Sequence, residues 1–448
     1  MSFITDIQTL KDLNILGKYR RDSIFSLYNQ TSTFGGERLL EDMFQNPLTK
    51  LADIQQRGAV IAFFRQQKKP FAIDLDDLEL AQSFANSYAR NSYLASMFTV
   101  SRHTVLAKLG LDEERKHFES GVRALLRLLA SLRDYLSALY AADQDQVLPY
   151  TPLNHSWLGN TAELTQLQQE VAQNERLIPL KVAAKCDYYL RHKWAAAIQD
   201  ALAMVYYIDA YQAIAAVANE RNFVPAIPCE TDLQVLEVKN VYHPTVPHAV
   251  GNDLYYRNEE NLIFLTGANM AGKSTYMKSL GIAVYLAHMG FPVAADAMRF
   301  SVKDGLYSSI NVEDNIDLGH SHYYAEVLRV KKIATAVHKG NSLLIIFDEL
   351  FKGTNVKDAF EATLAVTSAF QRHTNCQYLI STHIVEVGEK LQEDIPQVQF
   401  IYMPTVMKAQ VPTYTYKSEK GISSDKHGMV LIQKENVLEL LEKSRTKF

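Results

Sequence analysis

Residues Leu265–Thr275 read LTGANMAGKST. They follow an apolar stretch, NLIFL (Asn261–Leu265), and precede a segment of helical character, YMKSLGIAVYLAHMG (Tyr276–Gly290). Gly267, Gly272, Lys273 and Ser274 fit the pattern G-x-x-x-x-G-K-[ST], and a strand before with a helix after is the context that gives the pattern meaning. The glycines let the backbone wrap a phosphate with its N–H groups turned inward. The helix N-terminus adds the positive end of its dipole. The lysine reaches the β- and γ-phosphates of a nucleotide and the serine hydroxyl ligates magnesium. The bland alternative is a chance match on a glycine-containing turn, which explains neither the lysine nor the flanking elements.

Two further strand ends support the phosphate reading. LLIIFDEL (Leu343–Leu350) closes an apolar run with Asp348 and Glu349. Asp348 is placed to hold magnesium through its water shell. Glu349, on the other side of the strand end, is suited to orient or deprotonate an attacking water. An acidic helix cap after a strand is the plainer reading of the same pair. LISTHIVEV (Leu379–Val387) sets His383 just past a third run. In a parallel sheet that edge faces the ligand crevice. His383 there would bond the γ-phosphate or the water, unless a backbone carbonyl satisfies it.

Outward from this core the chain divides by pattern. From about residue 20 to 220, apolar residues recur at three- and four-residue intervals, as in LRDYLSALYAADQ (Leu132–Gln144) and the stretch from Lys193 to Asn222. That spacing predicts long amphipathic helices. Asp143–Asn160 reads as a loop between them. Composition shifts at NFVPAIPCETD (Asn222–Asp232), which sets a boundary between an all-α domain, 1–225, and an α/β domain, 226–448. In the second, short β-branched and leucine-rich runs without alternation alternate with helical segments, which predicts a mainly parallel sheet. QVQFIYMP (Gln397–Pro404) and VPTYTYKSEKG (Val411–Gly421) read as later strands, and NVLELLEKSR (Asn436–Arg445) as a terminal helix.

Hydrophobic residues make up 47% and charged residues 21% of 448, enough for ordinary cores. The net charge of -4 argues against wholesale binding of nucleic acid but leaves room for a local basic stripe. Cys186, Cys229 and Cys376 have no paired spacing, which fits a reducing compartment without disulfides or a zinc site. The first residues lack a basic region followed by an apolar run. The longest apolar candidate, Leu280–Ala295, is interrupted by His288 and Pro292 and too short to span a bilayer. The expectation is a cytoplasmic protein with no membrane segment.

TGANMAGKSTYMKS (Thr266–Ser279), DNIDLGHSHYYAEV (Asp314–Val327), FDELFKGTNVKDAF (Phe347–Phe360) and STHIVEV (Ser381–Val387) stand in the order and spacing of the MutS-type DNA mismatch-repair ATPases, which the chain resembles. The Asn269–Met270 pair inside the loop is particular to that family. NVYHPTV (Asn240–Val246) is similar to the opening of its ATPase domain and KGISSDKHGMVLI (Lys420–Ile432) to its close. The resemblance covers residues 232–448. It continues more weakly through Ser23–Phe64, similar to the opening of the family's core domain, and Ile208–Ala226, similar to its returning helix.

The resemblance implies an ABC-like P-loop NTPase domain below lever-like helices, with ATP or ADP and Mg2+ as ligands. It assigns the nucleotide to Gly267, Ala268, Asn269, Met270, Ala271, Gly272, Lys273, Ser274 and Thr275. Magnesium falls to Ser274 and Asp348, hydrolysis to Glu349, and the γ-phosphate response to His383. Ser321 matches the signature serine that contacts the ATP of the other subunit, which requires a homodimer with two nucleotides sandwiched between ATPase domains. DNA and unidentified repair proteins are the implied partners.

Some positions depart from the family. The usual Ser-Thr-Phe signature reads Ser321-His322-Tyr323 here, and Phe351 and Lys352 stand where small and basic residues are common. His320 and His322 lack the further ligands of a metal site. The core opening at Ser23 leaves no place for a mismatch-reading wedge or a connector, so branched or recombining DNA is the expected substrate. The basic candidates for DNA are Arg123, Arg127 and Arg133, and the segment Arg191, His192, Lys193 and Trp194. Solvated helix faces and a buried Trp194 explain the same residues. The alternative function is a nucleotide-switched protein-interaction module that does not touch DNA.

Overall fold

Ten α-helices precede residue 221 among the described residues: α1 (Ile7–Asp12), α2 (Ile24–Tyr28), α3 (Phe34–Gln45), α4 (Leu51–Gln66), α5 (Leu75–Asn86), α6 (Tyr93–Lys108), α7 (Glu113–Ala142), α8 (Thr161–Ala172), α9 (Leu180–Tyr188) and α10 (Ala195–Glu220). A π-turn at Tyr189–Lys193 joins the last two. Strands then alternate with helices: β1 (Ala226–Cys229), β2 (Leu236–Val241), β3 (Asn252–Tyr256), β4 (Leu262–Gly267), α11 (Lys273–His288), β5 (Ala297–Ser301), β6 (Gly305–Ser309), α12 (His322–His338), β7 (Leu343–Phe347), α13 (Val356–Gln371), β8 (Gln377–Ser381), α14 (Val385–Asp394) and β9 (Gln399–Met403). Three short strands follow, β10 (Thr405–Lys408), β11 (Val411–Tyr414) and β12 (Glu419–Lys420). This computed structural model describes residues 2–17, 22–87, 92–142, 161–257, 259–310, 322–408 and 411–423. The expected loop at Asp143–Asn160 and the terminal helix at Asn436–Arg445 lie outside them.

Two compact units interleave along the chain. One takes Met1–Tyr28, Met43–Ala59 and Ala216–Phe448; the other takes Asn29–Asp42 and Val60–Ala215. Residues 1–28 and 43–59 were grouped by pattern with the helical half, yet they pack in the unit that holds the sheets. The reason is specific bonding. Ile4 pairs in parallel with Gly305, donating to Asp304 O (2.8 Å) and accepting from Leu306 N (2.9 Å). A Cβ on Gly305 would fall 2.1 Å from the Ile4 carbonyl oxygen, so only glycine fits this approach. Tyr285 and His288 of α11 likewise bond the carbonyls of Phe44 (2.6 Å) and Leu48 (3.0 Å).

The main sheet has six strands in the order β12-β9-β4-β8-β7-β6, parallel except where β12 joins β9. Its central strands are buried on both faces, which is why their sequences run apolar without alternation. Phe264, Ile345, Phe347, Tyr378 and Ile380 form the core of one face. α11 is buried around nearly its whole circumference. A second sheet, β1-β5-β2-β3, mixes parallel and antiparallel pairs. Gln397–Pro404 contains β9 and Val411–Gly421 contains β11 and β12, as their patterns predict; no pattern pointed to β10.

The described part of the second unit is helical. Its TSTFGG turn (Thr31–Gly36) is held by Asp209 of α10, whose carboxylate accepts from Ser32 N (3.0 Å), Thr33 N (2.8 Å) and the Thr33 hydroxyl (2.6 Å). The glycine pair follows from that docking: a Cβ on Gly36 would sit 2.3 Å from the Asp209 carboxylate. α10 also corrects the search for long apolar runs. By length and composition it could cross a bilayer, with a mean hydropathy of 1.4 over its best window. That window is 72% buried inside the protein, as in a core helix. The run at Leu280–Ala295 is therefore not the longest apolar segment.

Candidate functional site

Parallel register brings the three sequence motifs to one edge. Leu265 of β4 stands beside Ser381 of β8, and Phe347 of β7 beside Ile380. The loop Ala268–Gly272, Asp348–Glu349 and Thr382–His383 therefore all emerge at the C-terminal ends of adjacent strands, where ligands bind in open α/β sheets.

The loop's shape depends on its glycines. Gly267 has φ +139° and Gly272 φ +101°. A Cβ at Gly267 would lie 2.9 Å from the Met403 carbonyl oxygen, and one at Gly272 3.0 Å from the Tyr416 ring. Met270 also takes a left-handed φ, +68°, at the exposed tip. Lys273 opens α11 only 5% exposed, its amine donating to the carbonyls of Gly267 (2.8 Å) and Ala268 (3.1 Å). Burial pushes the Lys273 amine below the ordinary lysine value, against the pull of Glu349 and Asp348.

Asp348 is the hinge of the arrangement. The Ser274 hydroxyl donates to one carboxylate oxygen and the Ser381 hydroxyl to the other. The Asp348 amide donates to Ser309 O (2.9 Å), which ties the acid to the end of β6. Glu349 follows with φ +53° and donates from its amide to Ser381 O (3.0 Å). A left-handed glutamate costs of order 1 kcal/mol, and such strain persists where the surroundings over-determine it.

A cavity of about 680 Å³ opens beside the loop, within the range of small-molecule sites. Asn269–Met270, Gly272–Tyr276 and Glu349 form one side. The other side comes from His243, Val246–Val250, Asn252, Met403 and Tyr416. Burial, with Lys278 nearby, pushes His243 down to about 4, so its ring is neutral near pH 7. Asn252 secures the Tyr416 segment, donating to Tyr416 O (2.9 Å) and accepting from Ser418 N (2.7 Å).

Pattern reading missed these cavity walls and Ser381. NVYHPTV marked a domain opening without showing that His243 faces the loop. Tyr416 and Met403 sit in segments legible only as strands. Ser381 left one signal, a hydroxyl at the end of an apolar strand beside an acid-ended one.

The donor set suits a magnesium–triphosphate complex. Among the described residues no group of three or more His, Cys, Asp or Glu gathers to hold a metal. Magnesium needs no such cage, because it keeps waters and takes phosphate oxygens with one or two protein groups. Ser274 and Asp348 are one hydroxyl and one carboxylate in direct contact.

Other candidates stand differently. His383 is exposed, is absent from the cavity lining and has no side-chain partner among the described residues. Ser321 and His320 lie outside the described residues. Tyr323, on α12, packs its ring against Phe351, which has φ +61°.

The basic candidates are engaged within the chain. Arg123 donates to the carbonyls of Val171 (3.3 Å) and Asn174 (2.5 Å), and Arg127 to Asp77 (2.8 Å). Arg133 meets Asp134 (3.2 Å), Arg191 pairs with buried Asp187 and stacks over Phe84, and Lys193 pairs with Glu163 (3.3 Å). His192 packs on the Tyr188 ring, and Trp194 is buried at 7% exposure. These contacts match the structural explanation of the two stretches.

Comparison with known proteins adds an independent line. The family model for MutS domain III matches residues 8–215, and that for MutS domain V matches residues 263–447. The DNA mismatch repair protein MutS of Streptococcus agalactiae is 26% identical over 290 residues, 62% of this chain and 33% of that protein. Its namesake from Geobacillus sp. is 28% identical over 228 residues, 50% of this chain and 26% of its own. That from Geobacillus thermodenitrificans is 32% identical over 187 residues, 40% of this chain and 20% of its own. The match thus spans a third or less of these curated relatives.

Proposed function

Since this chain belongs to the MutS family, we propose that it binds and hydrolyses ATP with magnesium and couples that cycle to closure of a homodimer. The observation that carries the reading is the contact of Ser274 with Asp348 beside a buried Lys273, at the mouth of a cavity of nucleotide size. The domain with the chemistry, 226–448, is an ABC-like P-loop NTPase in this reading, and the helices of the other unit, Asn29–Asp42 and Val60–Ala215, receive its motion.

Each residue has a task. Lys273 gives up its bonds to Gly267 and Ala268 and turns its ammonium to the β- and γ-phosphates. Backbone amides from Gly267 to Thr275 cradle the phosphates at the start of α11. Ser274 and Asp348 would hold Mg2+, which neutralises charge on the phosphate oxygens. Glu349 orients the water and takes its proton. His383 answers the γ-phosphate after moving in from its exposed position. Ser321 completes the partner's nucleotide, and loss of the γ-phosphate removes that bridge.

The relatives' printed names concern DNA mismatch repair, and we assign this chain to a DNA transaction in the cytoplasm. A second reading, a nucleotide-switched module for a protein partner, is favoured by one observation: the basic residues singled out for DNA already have partners inside the chain. ATPase rates with duplex, branched and single-stranded DNA at several salt concentrations separate the two. Stimulation that fades steeply with salt supports DNA; indifference to every DNA form supports the module. The core reading is tested by sedimentation of wild type and Glu349→Ala with and without ATP. The variant should retain ATP, accumulate as dimer and hydrolyse poorly. Normal turnover in Glu349→Ala, or full turnover by a strictly monomeric wild type, overturns it.

A further inference from the structure

Ser381 ends β8 in full burial, 0% exposed, and its hydroxyl donates to one oxygen of Asp348. It does not line the cavity at the phosphate loop. Ser274, which donates to the other oxygen, is exposed and does line it. One carboxylate is thus held by two hydroxyls in opposite surroundings, one on the ligand side and one in the interior. The strand order β4-β8-β7 explains the meeting. Ser381 stands beside Leu265 of the strand that feeds the phosphate loop, and β8 runs beside the strand that delivers the acid.

A carboxylate turns readily about its last side-chain bond, where the torsional wells are broad and two-fold. A donor on one oxygen alone leaves it free to pivot. The Ser274 bond faces the cavity and is open to exchange when a ligand enters. The Ser381 bond faces neither ligand nor solvent, and it is charge-assisted, the stronger class of hydrogen bond. It commits one oxygen of Asp348 to the interior and leaves the other toward the cavity. The backbone beside it is held by other means. The Asp348 amide donates to Ser309 O (2.9 Å) and the Glu349 amide to Ser381 O (3.0 Å), with the Ser381 hydroxyl oxygen a more distant second acceptor (3.3 Å). Loss of the hydroxyl therefore leaves the chain path of both acids tied and frees chiefly the Asp348 carboxylate.

We propose that Ser381 is a positioning residue for magnesium: it fixes the Asp348 carboxylate in the orientation that serves the metal, and so sets the Mg2+ concentration at which nucleotide binding tightens. The proposal rests on the reading above that Ser274 and Asp348 hold Mg2+ beside ATP. The phosphate contacts of Lys273 and the loop amides do not pass through Ser381. Nucleotide binding without metal and the gain on adding metal are thus separable, and only the second depends on this hydroxyl.

The test titrates a fluorescent, non-hydrolysable ATP analogue into the full chain, in EDTA and at stepped Mg2+ concentrations, for wild type, Ser381→Ala and Asp348→Asn. In EDTA, Ser381→Ala should bind the analogue within about twofold of wild type. The Mg2+ concentration that gives half of the gain in affinity should rise by about tenfold or more, as expected for loss of a charged hydrogen bond. Ser381→Cys, whose thiol is a weak donor, carries the test should the alanine variant fail to fold. A Mg2+ response in Ser381→Ala that superimposes on wild type, with Asp348→Asn impaired, overturns the proposal and leaves the metal reading standing. Equal weakening in EDTA and in Mg2+ marks general damage to the phosphate loop and also overturns it. A wild type whose affinity ignores Mg2+, or that binds no analogue, removes the metal reading and the proposal with it.

Discussion

The rings of Tyr323 and Phe351 lie 5.9 Å apart between centroids, inclined at 58°. These are two of the positions at which the sequence departs from the family pattern, and each supplies the other's packing partner. Phe351 follows Glu349 by two residues, so the contact ties α12 to the loop that carries the proposed water-activating acid. Tilted aromatic pairs contribute about 0.5–1.5 kcal/mol beyond their buried area. A double-mutant cycle with leucine at each position, read by urea unfolding, should return a coupling in that range. Tyr323→Leu should also slow ATP turnover more than it weakens ATP binding. Additive unfolding energies would mean that the two rings are independent replacements.

Lys273 makes a proton-linked prediction. Its amine is held below the ordinary lysine value by burial, so in the free chain it loses its proton at lower pH than a solvated lysine. A triphosphate favours the charged form. Binding should therefore take up protons, and affinity should fall as pH rises. Calorimetry in two buffers of different ionisation enthalpy measures the uptake directly. Lys273→Met should abolish it and weaken ATP binding by about ten- to a hundredfold, the scale of a charged hydrogen bond. Equal uptake in the variant would assign the proton to another group.

For Glu349 the backbone chooses the informative substitution. At φ +53° glycine would relieve strain and glutamine would preserve shape. Glu349→Gln should keep ATP affinity and lower turnover by about 10²- to 10⁴-fold, the usual range for a general base. A drop below tenfold would leave Glu349 as a wall of the cavity.

The legible and illegible parts divide by the range of the interactions. β4, β7 and β8 could be read because burial on both faces writes itself into five or six consecutive residues. The phosphate loop could be read because its glycines, lysine and serine all fall within the short run Gly267–Ser274. α1 could not: a six-residue helix carries no period, and its partners Ser308 and Arg329 stand about three hundred residues away. The cavity walls were hidden for the same reason, His243 and Tyr416 arriving from separate loops. Helical spacing placed Arg127 and Arg191 on helices but said nothing of Asp77 and Asp187, which occupy them.

His288, at the end of α11, makes the chain acid-sensitive. Its ring is fully buried and bonded on both nitrogens: Nδ1 donates to Leu48 O (3.0 Å), and Nε2 accepts from Lys303 N (3.3 Å). This pair of partners selects the neutral ring with its proton on Nδ1. A second proton on Nε2 would face the Lys303 amide hydrogen and break that bond. Burial pushes His288 down to about 4, with the Lys303 charge acting the same way against the Leu48 bond. An unfolded histidine takes its proton near pH 6.5. Between these values the unfolded chain binds the extra proton, so stability falls as pH drops from about 6.5 to about 4. One such group contributes a slope of about 1.4 kcal/mol per pH unit. His243, also pushed down to about 4, adds a second proton over the same interval. Glutamine at 288 can donate to Leu48 and accept from Lys303 without titrating. His288→Gln should therefore lose about one proton from the pH slope of unfolding free energy while remaining folded at pH 7, measured by urea unfolding at pH steps from 7 to 4. An unchanged slope would show that His288 is protonated in the folded chain, and that its bond to the Lys303 amide does not persist in solution.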